Sequence, residues 1–198
     1  QPTDPPAAPT TTPQQVTAPA QSDGIVTYTE GMVGSVQRLN PLLADLNPVD
    51  RDLTALIFEG LTTINEYGEV SPQLAEDRIV SFDGLEYVFT LRDDVLWQDG
   101  TPFSADDVIY TMSLLKDPNF PGPVDLGQFW RTVETEKISD TLVRFRLTHP
   151  LASFPELLRI GILPYHALQG TTAAQLPEHR FNLTPVGTGP YQLEAIRA

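Results

Sequence analysis

The segment that most constrains the fold is residues 74–111, which read LAEDRIVSFDGLEYVFTLRDDVLWQDGTPFSADDVIYT. Its first part predicts a β-hairpin, because residues 78–82 and 85–92 flank Asp83-Gly84, a pair that favours the left-handed angles of a tight two-residue turn. Every second residue of the second strand is apolar, so one face of that strand is expected to lie on a core. This apolar set is Leu85, Tyr87, Phe89 and Leu91.

The second part of the same segment predicts a helix. The Ser104 hydroxyl is suited to an N-cap, and Asp107, three residues later, completes a pattern like a capping box. Apolar residues follow at helical spacing, and Asp117-Pro118 is expected to end the helix. These apolar residues are Val108, Ile109, Met112 and Leu115.

Weaker patterns along the rest of the chain predict an α+β fold, because strands and helices do not alternate regularly. We expect a helix that begins at the N-cap Asp50 and stops at Gly60, and a turn at Tyr67-Gly68. The other expected elements are a strand at 24–28, a strand at 141–147, a short helix near 155–159, an extended segment at 161–164, a glycine-rich loop at 185–191 and a strand at 192–196.

Charge and composition exclude several classes of partner. A net charge of −14 over 198 residues repels phosphate backbones, so we expect no nucleic-acid partner. The absence of cysteine excludes disulfides and thiolate chemistry. No apolar run is long enough to cross a bilayer, and no signal peptide is recognisable at the N-terminus. Either the protein is cytoplasmic or the chain starts after an export signal.

Residues 1–22 differ in composition from the rest of the chain. Pro, Thr, Gln and Ala dominate, and Asp4 is the single charged residue. Such a segment cannot bury enough apolar surface to offset its ordering entropy, so we expect a disordered tether. A link between a lipid-anchored terminus and a soluble receptor would have this composition, and so would an interdomain linker.

No residue pattern indicates an enzyme, a metal site or a cofactor. The carboxylate pairs, such as Asp106-Asp107, are adjacent in sequence and therefore point apart, whereas acid–base catalysis needs two carboxyls across a substrate. The three histidines lack the spacing of a zinc site, although they could still converge in space. There is no GxSxG pattern, and the glycine pair Gly187 and Gly189 lacks the third glycine of a dinucleotide loop.

Aromatic residues near a Pro-Gly-Pro sequence are candidates for ligand contact. Phe129 and Trp130 follow Pro121-Gly122-Pro123, which predicts an irregular loop. Exposed aromatic side chains on such a loop could stack against a ligand. The alternative, which we favour, is that they pack beneath the loop.

The combined motifs resemble those of the family 5 extracellular solute-binding proteins, the peptide receptors of bacterial ABC importers. The resemblance runs from about Ile25 to the end of the chain and departs at Arg78, where a tryptophan is expected. The residues that carry it are Leu74, Ala75, Asp83, Gly84, Phe89, Leu91, Arg92, Val95, Trp97, Asp99, Gly100, Thr101, Pro102, Phe103, Ala105, Asp107, Val108, and the segments LNP at 39–41, FEGLT at 58–62, ILP at 162–164 and VGTGPY at 186–191.

The resemblance implies part of a type II periplasmic-binding-protein-like fold. Residues 23–48 and 161–198 would belong to the first lobe, and residues 49–160 would form a subdomain inserted into it. Members of this family are normally far longer than 198 residues. The chain is therefore expected to be an N-terminal fragment without the second lobe.

The resemblance also implies a function. It predicts a non-enzymatic receptor outside the cytoplasm that binds peptides, or another small solute, and delivers them to a membrane permease. The ligand backbone would approach Asp45, Leu46 and Asn47, with Gly31 and Met32 as weaker candidates. Receptors for nickel complexes, haem or oligosaccharides, and a sensor that reuses the fold, are the alternatives.

Overall fold

The structure is a computed structural model that describes residues 27–197. The predicted tether at 1–22 and positions 24–26 of the predicted first strand lie outside these residues. The chain divides into two compact units, Gln1–Met32 and Val33–Ala198. In the first unit, the described residues 27–32 are exposed and contain neither helix nor strand, so Thr27 and Tyr28 are not in the strand predicted at 24–28.

The second unit has the mixed α and β composition that the sequence predicts. Three short 3₁₀ helices, at Ala44–Leu46, Ala173–Glu178 and Arg180–Leu183, accompany the helices and strands within the described residues. In chain order these are α1 (Pro48–Ile57), β1 (Thr62–Ile64), β2 (Val70–Pro72), β3 (Ala75–Val80), β4 (Glu86–Leu91), α2 (Ala105–Lys116), α3 (Val124–Arg131), β5 (Glu134–Ser139), β6 (Leu142–Arg146), α4 (Phe154–Leu157) and α5 (Tyr165–Leu168).

An antiparallel sheet in the order β3-β4-β6-β5 forms the centre of the unit. The predicted alternation in β4 is confirmed, because Tyr87, Phe89 and Leu91 are buried and their neighbours are only partly so. On β6 the buried residues are Val143 and Phe145. Strand β5 was not predicted, since its sequence ETEKIS contains three charged residues and pairs with β6 at the sheet edge.

An aromatic cluster fills the space between this sheet and the helices. The ring of Phe154 lies 4.9 Å from that of Tyr87 and 5.5 Å from that of Phe145. Trp130 on α3 lies 6.0 Å from Phe154. Aromatic pairs at these separations add to the stabilisation from burial alone.

The hairpin prediction is confirmed, but its two-residue turn is wrong. The Ser81 amide donates to the Glu86 carbonyl at 2.9 Å, which leaves four residues, 82–85, in the loop. Gly84 has a φ of 69°, whereas Asp83 does not have a positive φ. Asp83 instead accepts hydrogen bonds from the Ser81 hydroxyl and the Leu85 amide, and these bonds stabilise the longer loop.

The predicted start of the first helix is also wrong. Asn47 is the N-cap of α1, accepting a bond from the Val49 amide, and Pro48 is the first helical residue. Both residue types are favoured at these positions. Asp50 is buried one turn further on, where its carboxylate accepts hydrogen bonds from the amides of Gln37 and Arg38 at 2.8 and 2.9 Å. Asp50 therefore holds the segment at Gln37 and Arg38, which precedes the helix in the chain, against α1. The helix ends at Ile57, three residues before the predicted stop at Gly60.

The strand predicted at 192–196 is wrong, because these residues are not in a strand. Residues 161–164, predicted as extended, are in neither a helix nor a strand. Segment 185–191 is instead clamped at both sides, with the Gly187 carbonyl accepting from the Gln98 amide at 2.9 Å and the Gly189 amide donating to the Ile57 carbonyl at 2.8 Å. A Cβ at Gly187 would lie 1.8 Å from the Ile57 carbonyl oxygen, so this approach requires glycine.

Helix α2 begins with the predicted capping box, and Asp107 of this box makes two further hydrogen bonds that the sequence does not predict. The Asp107 carboxylate accepts a bond from the Ser104 amide at 2.9 Å. It also accepts bonds from the Trp97 indole at 3.3 Å and from the Tyr165 amide at 2.8 Å. Asp107 is buried, so it ties three separate segments together in a place that water does not reach.

Substitution Asp107→Ala is expected to lower the free energy of unfolding by on the order of 3 kcal/mol, because it leaves buried donors unpaired. Urea denaturation followed by circular dichroism measures the change. The neighbouring Asp106 is exposed and pairs with Lys137 at 2.8 Å, so Asp106→Asn is the matched control, with an expected loss below about 1 kcal/mol. Equal losses in the two variants would contradict the role of Asp107.

The contribution of Asp107 is also expected to depend on pH. Burial raises the pKa of this carboxyl above 3.8, so the folded state binds the proton more tightly than the unfolded state does. The stability that protonation adds is present below about pH 4 and is lost as the pH rises through the raised pKa. The stability difference between the unsubstituted protein and Asp107→Ala should therefore widen from pH 7 to pH 4. If the stability difference narrows instead, the pKa of Asp107 is lowered in the folded state rather than raised.

Candidate functional site

An open cleft of about 460 Å³ lies between α1, β1 and α4. Pro41, Ala44 and Asp45 form part of its wall, so one of the three residues predicted to approach a ligand, Asp45, borders this cleft. Charged side chains of both signs line it, and polar side chains lie between them. The charged residues are Asp45, Arg51, Glu156 and Arg159, and the polar ones are Thr54, Thr62, Thr63 and Gln73.

Glycines allow the cleft walls to approach each other closely. A Cβ at Gly161 would lie 2.7 Å from the Pro41 side chain and 2.8 Å from that of Phe58. A Cβ at Gly60 would lie 2.6 Å from the Leu158 carbonyl oxygen. Larger residues at these positions would separate the walls or displace the loop that carries Asp45.

The four charged groups of the cleft are not all neutralised by neighbours. Arg51 pairs with Asp52 at 3.1 Å, and both side chains are exposed. Asp45, Glu156 and Arg159 form no ion pair with any residue between 27 and 197. The cleft can therefore present a cation and carboxylates to an incoming polar molecule.

Two threonines of the cleft differ in their hydrogen bonding. The hydroxyl of Thr62 donates to the Pro155 carbonyl at 2.6 Å and joins β1 to α4. The buried hydroxyl of Thr54, on α1, has no hydrogen-bond partner among the described residues. An unpartnered buried hydroxyl destabilises a fold, so Thr54 is a polar group that the fold itself does not need.

The structure places the predicted ligand residues at three different kinds of position. Asp45 is exposed and lines the cleft. Leu46 is 60% exposed but is not part of the cleft wall. The side chain of Asn47 caps α1 and donates to the Ser35 carbonyl at 2.9 Å, which gives it a structural role.

The remaining predicted ligand residues lie outside the lining of the cleft or in the other unit. Gly31 and Met32 belong to the first unit and are exposed. Phe129 and Trp130 lie on α3, so the predicted irregular loop at these positions is wrong. Trp130 is 0% exposed and Phe129 packs against it at 5.5 Å between ring centroids. This placement favours the packing alternative, because neither ring lines the cleft.

Sequence reasoning missed Thr54, Glu156 and Arg159 as cleft residues. Thr54 follows ordinary helical spacing, Glu156 lies in a helix of only four residues, and Arg159 follows that helix. Nothing in these local patterns marks a functional group. These residues come together only in the folded protein, because α1 and α4 are about 100 residues apart in the chain.

The described residues contain no group of three His, Cys, Asp or Glu side chains that could hold a metal ion. His166 contacts Asp99, with 2.7 Å between Nε2 and Oδ2, and its ring packs against Trp97. In the same part of the chain no helix is long and apolar enough to cross a membrane.

Comparison with known proteins relates this architecture to one family. Residues 69–198 match the model of the bacterial extracellular solute-binding proteins, family 5 Middle. The peptide transport periplasmic protein SapA of Salmonella typhimurium is 31% identical over 92% of this chain and 37% of its own length.

Two solved structures share the fold. The oligopeptide-binding protein AppA of Bacillus subtilis, in complex with a nonapeptide, has a TM-score of 0.77 and 28% identity over 84% of this chain and 33% of that chain. NikZ of Campylobacter jejuni, in complex with Ni(L-His), has a TM-score of 0.72 and 34% identity over 83% of this chain and 32% of that chain.

The fold is that of the type II periplasmic binding proteins, of which the described residues form a part. The chain belongs to the bacterial extracellular solute-binding proteins, family 5. It spans about a third of the length of the relatives that it matches. These relatives bind or transport solutes and are not enzymes, as the sequence predicts for this chain.

A pair of threonine substitutions tests the hydrogen bonding of the cleft. Thr54→Val should raise the free energy of unfolding by about 1 kcal/mol, because it removes a buried hydroxyl that has no partner. Thr62→Val should lower it by about 1 kcal/mol, because it removes a bond between β1 and α4. Urea denaturation measures both. If Thr54→Val destabilises the protein as much as Thr62→Val, the Thr54 hydroxyl has a partner in solution.

Proposed function

We propose that this chain is part of the solute-binding receptor of an ABC importer, located outside the cytoplasm, which binds peptides and delivers them to a membrane permease. The observation that carries the proposal is the cleft beside residues 41–45, in a chain that belongs to family 5. Two of the related proteins, SapA and AppA, are named for peptide transport or oligopeptide binding, which supports peptides as the ligand.

The chemistry of the cleft suits a peptide. A peptide has a positive and a negative end and a backbone of alternating hydrogen-bond donors and acceptors. Arg159 can bind a carboxylate, while Asp45 and Glu156 can bind an ammonium group. The hydroxyl of Thr63 and the amide of Gln73 add polar contacts that do not depend on the ligand's side chains.

The proposed domain boundaries fit the contacts between distant parts of the chain. The segments proposed for the first lobe, 23–48 and 161–198, are joined by a bond from the Leu39 amide to the Asn182 carbonyl at 2.8 Å. The side chains of Asn40 and Asn182, both buried, are also bonded at 3.2 Å. We propose residues 49–160 as the inserted subdomain, in which the four-stranded sheet lies.

The cleft is open to solvent, and we propose that a second lobe closes over it. Two lobes that close around a ligand would exclude water and present a new surface to the permease. The relatives are about three times as long as this chain, so they have residues from which such a lobe can be built. We further propose that the tether at 1–22 links the receptor to a lipid anchor.

A nickel complex is the second candidate ligand, because NikZ contains Ni(L-His). The described residues of this chain hold no cluster of three metal-binding side chains, so such a complex would have to bind through its own organic ligands. Arg159 can contact a histidine carboxylate in the same way that it can contact a peptide terminus.

NMR titration of the 198-residue chain with tri-alanine, and separately with Ni(L-His)₂, tests the proposal. We expect amide shifts at Asp45, Thr54 and Arg159 on adding tri-alanine, with an affinity weaker than micromolar because one wall of the cleft is open. Arg159→Met should reduce the shifts, whereas Arg180→Met, which removes an exposed arginine elsewhere, should not.

Three outcomes would contradict the proposal in different ways. Shifts remote from the cleft would place the peptide site elsewhere. Micromolar or tighter affinity for tri-alanine would show that no second lobe is needed. Saturable binding of Ni(L-His)₂ without any response to tri-alanine would favour the nickel complex as the ligand.

A further inference from the structure

Arg78 is an exposed residue of β3. The strand register pairs it with Phe89, and cross-strand partners project from the same face of a sheet. Phe89 is 1% exposed, whereas the residues of β3 after Ala75 are all exposed. The charged group of Arg78 therefore reaches solvent from the face of the sheet that carries Phe89.

An open groove lies beside Arg78. It has a volume of about 360 Å³ and runs between the β1–β2 hairpin and β3. Its apolar lining consists of Val70, Pro72, Ala75 and Phe89, and its charged lining of Asp77 and Arg78. The volume falls in the range of small-molecule sites, roughly 300–1,000 Å³. The groove is separate from the cleft described above, with which its lining shares Thr62.

The guanidinium of Arg78 is not neutralised by the protein. It makes no hydrogen bond or ion pair with any residue in the range 27–197, whereas Arg92 pairs with Asp94 at 2.9 Å and Arg146 pairs with Glu86 at 2.9 Å. The nearest carboxylate in sequence, Asp77, accepts the Arg78 backbone amide at 2.7 Å instead. The unpaired guanidinium beside apolar surface attracts an anion locally, against the repulsion from the net charge of −14 of the whole chain.

The side chain at position 78 affects both the volume and the charge of the groove. A side chain on this face of β3 points toward Phe89, so an indole would fill the groove with apolar surface. Arginine leaves that volume open and adds a planar group that binds carboxylates through two parallel hydrogen bonds.

We infer that this groove binds a small molecule with one carboxylate attached to an apolar body, with the carboxylate on Arg78 and the body against Val70 and Pro72. Asp77 at the groove disfavours ligands with several negative charges, because each additional charge is repelled. The inference concerns a second site and holds whether or not the cleft binds peptides.

Indole-3-acetate and its neutral amide, indole-3-acetamide, are matched probes of the groove. In NMR titrations of the 198-residue chain, indole-3-acetate should give saturable amide shifts at Val70, Arg78 and Phe89. The acetamide should bind at least about tenfold more weakly, because it lacks the charge that Arg78 recognises. Equal affinities for the two probes would overturn the proposed role of Arg78.

Three variants separate this site from the cleft. Arg78→Met keeps the apolar stem, and it should weaken indole-3-acetate binding by at least about tenfold. Arg78→Trp should abolish binding and raise the melting temperature, because the indole fills the groove. Arg159→Met, in the cleft, should leave the affinity for indole-3-acetate unchanged. Unchanged binding in Arg78→Met, or shifts centred on Asp45 and Thr54, would overturn the inference. If Arg78→Trp does not fold, the Arg78→Met result decides.

Discussion

The buried carboxylate of Asp107 is the interaction on which the arrangement of the second unit depends. It accepts hydrogen bonds from the start of α2, from the Trp97 side chain and from the Tyr165 amide, which lies 58 residues further along the chain. A buried carboxylate is costly unless its oxygens are bonded, and here both oxygens are. The hydrogen bonds that satisfy Asp107 therefore also hold the Trp97 turn and the start of α5 against helix α2.

The cleft and the clamped segment 185–191 follow from this arrangement. The Thr111 hydroxyl, one turn after Asp107, accepts the Leu163 amide at 2.9 Å and extends the contact toward Gly161. Gly161 in turn packs against Pro41 and Phe58, which positions the loop that carries Asp45. On the other side of the Trp97 turn, Gln98 holds Gly187. The hydrogen bonds of Asp107 and Thr111 thus help to set the geometry of a cleft whose lining residues come from segments 41–73 and 156–161.

The cleft and the groove differ in the charges that line them. The cleft carries charges of both signs and polar side chains, which suits a ligand that has both donors and acceptors. The groove beside β3 carries apolar surface and one unpaired guanidinium, which suits an apolar monoanion. In each case a group that the fold does not satisfy lies next to open volume. Residues kept at the expense of stability are frequently those that contact a ligand.

Elements whose signals are local could be predicted from the order of residues. The capping box at Ser104, the alternation in β4 and the end of α2 at Asp117 depend on neighbours within a few residues, so spacing was sufficient to predict them. Strand β5 and helix α3 were missed, because a charged edge strand and a short helix after Pro123 obtain their stability from packing rather than from propensity. The candidate site, in contrast, depends on tertiary packing. Asp45, Thr54 and Arg159 line one cleft only because the core brings α1 and α4 together. Local sequence patterns carry no information about contacts between residues that are about 100 positions apart.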